Sequence, residues 1–65
     1  MNTYQDVTVQ LTGKDSNAYA IIGAVSRELQ AAHGADVAKE WRQYAQDSSS
    51  YDELLQRAMA TVNVI

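Results

Sequence analysis

The stretch VTVQLTGKDSNAYAIIG, residues 7–23, decides the fold, because the hydrophobic period changes inside it. Val7, Val9 and Leu11 alternate with Thr8, Gln10 and Thr12, a period of two with β-branched residues on both faces. That pattern predicts a half-buried strand over residues 6–12, which Gly13 then punctuates. From Asn17 onward the spacing is helical. Ala18, Ile21, Ile22, Val25, Leu29 and Ala32 fall on one apolar stripe, which predicts a helix over about 16–33. Asp15 or Ser16 is expected to cap its start. Gly34 is placed to end it in the left-handed conformation that lacks a steric penalty only for glycine.

Outward from this switch the chain reads as further helices. Residues 36–47 carry Val37, Trp41, Tyr44 and Ala45 on one face, with Asp36 as the expected cap. The serines at 48–50 break the pattern. Ser50-Tyr51-Asp52-Glu53 then matches a capping box, in which Glu53 reaches back to the Ser50 amide. Tyr51, Leu54, Leu55, Ala58, Met59 and Val62 form the stripe of a helix over 51–62. Residues 62–65 are strand-type and can pair beside the first strand. The expected class is α+β: one small domain over residues 1–65, helix-dominated, with an N-terminal strand, three helices and a short C-terminal strand. An all-α three-helix domain is the alternative.

Composition bounds the function. A chain of 65 residues buries only about 60% of its unfolded surface, so it needs support from disulfides, metal or oligomerisation. It has no cysteine and one histidine, so neither a disulfide nor a metal or other cofactor is expected, and self-association remains. The formal charge of −3 is interspersed, which argues against nucleic acid as a partner. A recognition helix at 51–62 would carry only Arg57, with Asp52 and Glu53 at its leading end. The apolar run at 18–25 is far shorter than the roughly 20 residues that span a bilayer, and the first residues lack a signal-peptide pattern. A cytoplasmic protein without membrane association is expected.

Three features invite a chemical reading. Gly13 and Lys14 between a strand and a helix suggest a phosphate loop. However, Asp15 stands where that loop needs Ser or Thr, and Thr8 where it needs glycine. A helix start with free amides, formed by Gly13, Lys14, Ser16 and Asn17, remains as a candidate site for an anion or nucleotide phosphate. His33 is expected to pair with Asp36 across Gly34 and to favour the helix end through its dipole; catalysis by a histidine base ranks last. Ala20, Gly23, Ala24 and Ala31 form a small-residue side where another backbone could approach closely, first of all one from the same chain and otherwise a helix of a second subunit. Trp41 and Tyr44, with Arg42 between them, are candidates for a partner-facing patch.

Gly13 with Asn17-Ala18-Tyr19-Ala20-Ile21-Ile22-Gly23 resembles the "GNAFAILG" pattern of a group of very short, functionally uncharacterised bacterial and bacteriophage proteins. Tyr51-Asp52-Glu53-Leu54-Leu55, followed by Met59 and Val62-Asn63-Val64, is similar to that group's C-terminal "YDHLL…M…VxV" pattern, with Glu53 in place of its histidine. The resemblance implies a compact stand-alone protein, encoded by a phage or mobile element, and no catalysis. The expectation is a non-enzymatic interaction protein that forms a homo-oligomer, a dimer above all, or binds a protein partner. The alternative is a binder of small anions at residues 13–17.

Overall fold

A computed structural model describes residues 3–10 and 17–65. The chain is α+β. Strand β1 (Tyr4–Val9) is followed by helices α1 (Ala18–His33), α2 (Ala35–Gln46) and α3 (Tyr51–Thr61), then strand β2 (Val62–Val64). The two strands pair in parallel, with Tyr4 opposite Val62, Thr8 opposite Asn63 and Val9 opposite Val64. A parallel pair cannot be closed by a hairpin, so the three helices form the crossover that joins its strands. The register is broken between Tyr4 and Thr8. There the Asn63 side-chain amide donates to the Gln5 carbonyl at 2.6 Å, replacing a ladder bond that the break removes.

β1 begins two residues before the expected start. Its pattern holds: Val7 and Val9 are buried, while Asp6, Thr8 and Gln10 are exposed. Leu11 and Thr12, the expected end of the strand, lie outside the described residues, as do Asp15 and Ser16, the expected caps. The cap of α1 is Asn17, whose Oδ1 accepts from the Tyr19 amide at 2.8 Å. The side-chain carbonyl thereby satisfies a donor that the first turn leaves without a helical partner.

Asp36 does not cap α2 either. A single residue, Gly34, both ends α1 and starts α2, which leaves no room for a separate cap. Its amide donates to the Gln30 carbonyl at 3.0 Å, and its carbonyl accepts from the Ala38 amide at 3.3 Å. Its φ of 99° confirms the need for glycine, but its ψ of 169° is extended rather than left-handed helical. That region is essentially closed to residues with a Cβ. Asp36 sits instead in the first turn, where its charge complements the helix dipole.

The core joins Val7 and Val9 of β1 to Ile21, Ile22, Val25 and Leu29 of α1, and to Ala38, Trp41 and Ala45 of α2. Leu54 and Ala58 of α3 and Val62 of β2 complete it. Alanines at 38, 45 and 58 let the helices approach closely around the one large ring, Trp41. Its indole N–H donates to Thr61 Oγ1 at 3.0 Å, and that hydroxyl donates to the Arg57 carbonyl at 2.7 Å. A polar group is thus buried with its hydrogen bonds made, at little net cost.

Trp41→Ala should remove about 3–5 kcal/mol, most of the roughly 3–10 kcal/mol expected of a chain this long. Trp41→Phe keeps most of the volume and loses one hydrogen bond, so it should fold with a lowered Tm. Far-ultraviolet circular dichroism melts separate the two; equal melting of both variants would mean that the ring does not anchor the core.

Candidate interaction surfaces

The residues expected at an interface divide once folded. Trp41 is 5% exposed and does not face a partner, contrary to the sequence reading. It is the largest apolar side chain on α2, and its indole N–H finds its acceptor inside the molecule. Arg42 is half-buried on α2 and makes no ion pair among the described residues. Tyr44 does reach the surface, 49% exposed, as a ring held in place. The Arg57 guanidinium lies 4.4 Å from its centroid and also donates to the Tyr44 carbonyl. Glu53 completes this cluster through a 2.8 Å pair with Arg57, one turn along α3.

Ala20, Gly23 and Ala24 lie together on α1. Ala20 is exposed, while Gly23 and Ala24 are half-buried. A Cβ built at Gly23 would meet no atom within 4 Å, so nothing within the described fold requires a glycine there. Of the anion-site candidates, Gly13, Lys14 and Ser16 lie outside the described residues. Asn17 is committed to capping. Its side chain takes the Tyr19 amide, and its carbonyl takes those of Ala20 and Ile21 at 3.0 and 3.2 Å. Two of the first-turn amides that could face an anion, those of Tyr19 and Ala20, are therefore occupied, and the Ile21 amide makes the first regular helical bond.

His33 does not pair with Asp36. Its Nε2 lies 3.1 Å from Asp6 Oδ2, and the Tyr4 ring stands 4.7 Å away, centroid to centroid. The extended backbone at Gly34 turns α2 away at a corner, whereas β1 runs past the end of α1 and brings Asp6 to the imidazole. Among the described residues no group of three His, Cys, Asp or Glu could hold a metal. None of the helices among them is long and apolar enough to cross a membrane.

One concavity was not legible in the sequence. A groove of about 510 Å³ opens between the start of α1 and the start of α3. Ile22, Ala45 and Leu54, all buried core residues, form its floor. Tyr19 rises on the α1 side, 80% exposed, and Tyr51 on the α3 side, 41% exposed. Ala18, Gln46 and the loop at residues 48–50 complete the lining, which contains no charged side chain among the described residues. Tyr51 was expected on the buried stripe of α3, but it falls at the helix start, beyond the reach of the core. The two tyrosines are 32 positions apart in sequence, and only the packing of α1 beside α3 places them on one groove.

The loop is held by a variant of the expected capping box. Ser50 Oγ accepts from the Glu53 amide at 3.1 Å, as the pattern requires. The Glu53 carboxylate, however, reaches Ser49 rather than the Ser50 amide, accepting from the Ser49 amide at 3.3 Å and from its hydroxyl at 3.0 Å. The Ser49 hydroxyl first, then its amide, and then the charge of Arg57 hold the Glu53 carboxyl below its ordinary value of 4.5. Because the folded value is depressed, the stabilisation is present above the unfolded value and lost as pH falls through the folded one. Between about pH 6 and pH 3, Glu53→Gln should therefore lose less Tm than the parent chain. Parallel Tm–pH curves for the two would show that the loop does not depend on the ionised carboxylate.

No protein-family model matches the chain, and no curated protein or solved structure matches it either.

Proposed function

We propose that this chain is a non-enzymatic, cytoplasmic interaction protein that self-associates, as an accessory protein of a phage or mobile element. The space beside Gly23 is the observation that carries self-association. A glycine inside a helix costs about 1 kcal/mol against alanine. Among the described residues no contact offsets that cost, since a Cβ there would meet nothing. A second copy laid against Ala20, Gly23 and Ala24 would supply the missing neighbour, and the absent side chain would let the two backbones approach. The cellular setting rests on the resemblance at residues 13–23 and 51–64.

Sedimentation at about 100 µM should show a dimer, given the micromolar affinity expected of a small interface. Gly23→Leu should shift it toward monomer without unfolding the chain, because a Cβ there meets no described atom within 4 Å. A parent chain that is purely monomeric removes self-association; a variant that dimerises unchanged moves the interface off this face. Gly23→Ala adds a diagnostic: in a monomer it should raise stability by about 1 kcal/mol, and in a close-packed dimer it should not.

Binding of a small anion at Gly13, Lys14, Ser16 and Asn17 stands below this reading because capping already uses the first amides of α1. A nucleotide held there at 100 times its Kd would add about 2.7 kcal/mol to stability. Thermal melts across a nucleoside-triphosphate panel are expected to show no shift; a shift abolished by Lys14→Ala would restore the anion site.

A further inference from the structure

The geometry points to a binding site for a small quaternary ammonium ion between β1, α2 and the end of α3. This goes beyond the interaction reading and does not rest on it. A second concavity, of about 280 Å³, is lined there by Tyr4, Trp41 and Tyr44. The chain has four tyrosines and one tryptophan, so most of its aromatic residues meet at this one place. Trp41, almost wholly buried, closes the floor, while Tyr4 is half-buried and Tyr44 half-exposed. Aromatic rings grouped around a small space attract a cation through their quadrupoles.

The charges on this side of the molecule select the sign of the ligand. Two basic groups already stand against the tyrosines, and each has its own carboxylate. Arg57, against Tyr44, pairs with Glu53; His33, beside Tyr4, pairs with Asp6. Neither Arg57 nor His33 lines the concavity. Glu40 does, as the only charged side chain among the described lining residues, and it has no ion pair among the described residues. One uncompensated negative charge beside three rings complements a ligand with one positive charge.

Hydrogen bonding narrows the class of cation. Both threonine hydroxyls of the lining are already committed. Thr61 Oγ1 stands between the Trp41 indole and the Arg57 carbonyl, and Thr3 Oγ1 donates to the Ala60 carbonyl at 3.5 Å. A primary ammonium brings three N–H donors and a tightly held hydration shell, which one carboxylate and two phenols replace poorly. A quaternary ammonium has no N–H to satisfy, and its methyl groups pack on apolar and aromatic surface. The volume suits a head of a few heavy atoms, below the range of pockets that enclose larger ligands.

Amide correlation spectra of the 15N-labelled full chain test the site, with choline chloride titrated against matched sodium chloride. The single tryptophan gives one indole N–H signal, and its bond to Thr61 places that reporter at the concavity. Saturable shifts are expected there and at the Tyr4, Glu40 and Tyr44 amides, with a Kd of roughly 0.1–10 mM. Glu40→Gln should weaken choline about fourfold or more, the factor that one opposing charge about 5 Å away supplies even at the dielectric constant of water. Its Tm should match the parent's, because Glu40 is exposed. The neutral isostere of choline, with a tert-butyl group in place of trimethylammonium, should lose at least the same factor. Absence of saturable shifts at about 50 mM choline overturns the proposal. Equal binding of the neutral isostere, or choline binding unchanged by Glu40→Gln, overturns it too. Tighter binding of methylguanidinium would reassign the site to an arginine-like cation, and tighter binding of an N-acetyl-trimethyllysine amide to a modified side chain; either result overturns the assignment to a small free ion.

Discussion

The pairing of the two strands joins the ends of the described chain, and the rest of the architecture follows from it. β1 and β2 are separated by three helices and run in the same direction. The link is extended beyond the ladder itself. The Thr3 amide donates to the Ala60 carbonyl, and the Ile65 amide donates to the Val9 carbonyl, both at 3.0 Å. A two-stranded parallel sheet has little stability alone, so it requires an apolar layer against it. Val7 and Val9 obtain that layer from α1, and Val62, fully buried, completes the contact from the other strand.

Inside this frame one large ring organises the helices. Trp41 is buried in one core with the alanines at 38, 45 and 58, and its bond to Thr61 ties α2 to the end of α3. From Thr61 the chain passes directly into β2. The same placement withdraws Trp41 from the surface and leaves Tyr44, under the Arg57 guanidinium, as the exposed aromatic of α2. Interior packing thus redistributes which aromatics can meet a partner. Tyr19 and Tyr51 remain at the surface because both stand at helix starts, beyond the edge of the core.

The molecule then presents two dissimilar faces. The Gly23 side of α1 is small and featureless, suited to close backbone approach. The Tyr19–Tyr51 groove is aromatic and hydroxyl-bearing, with no charged side chain among the described residues that line it. They adjoin on α1: Tyr19 and Ile22 line the groove, and Gly23 lies one helical turn from Tyr19.

The sequence by itself determined the order and type of the elements. The change of period in residues 7–23 marked the strand and the first helix, Gly34 marked the corner, and Ser50 marked the start of α3. These signals are local: each depends on neighbours within a turn or two, where backbone conformation and side-chain spacing are coupled. Only the tertiary structure decided what lay across the chain. His33 met Asp6 rather than Asp36 because β1 passes the end of α1. Trp41 turned inward because α1 and α3 pack against that face of α2, and Thr61, 20 positions later, takes its indole N–H. Tyr19 and Tyr51 became one groove because α1 and α3 pack side by side. A helical period shows which residues share a face, but burial of that face depends on what the rest of the chain brings against it. That choice lies in long-range packing, which no local pattern encodes.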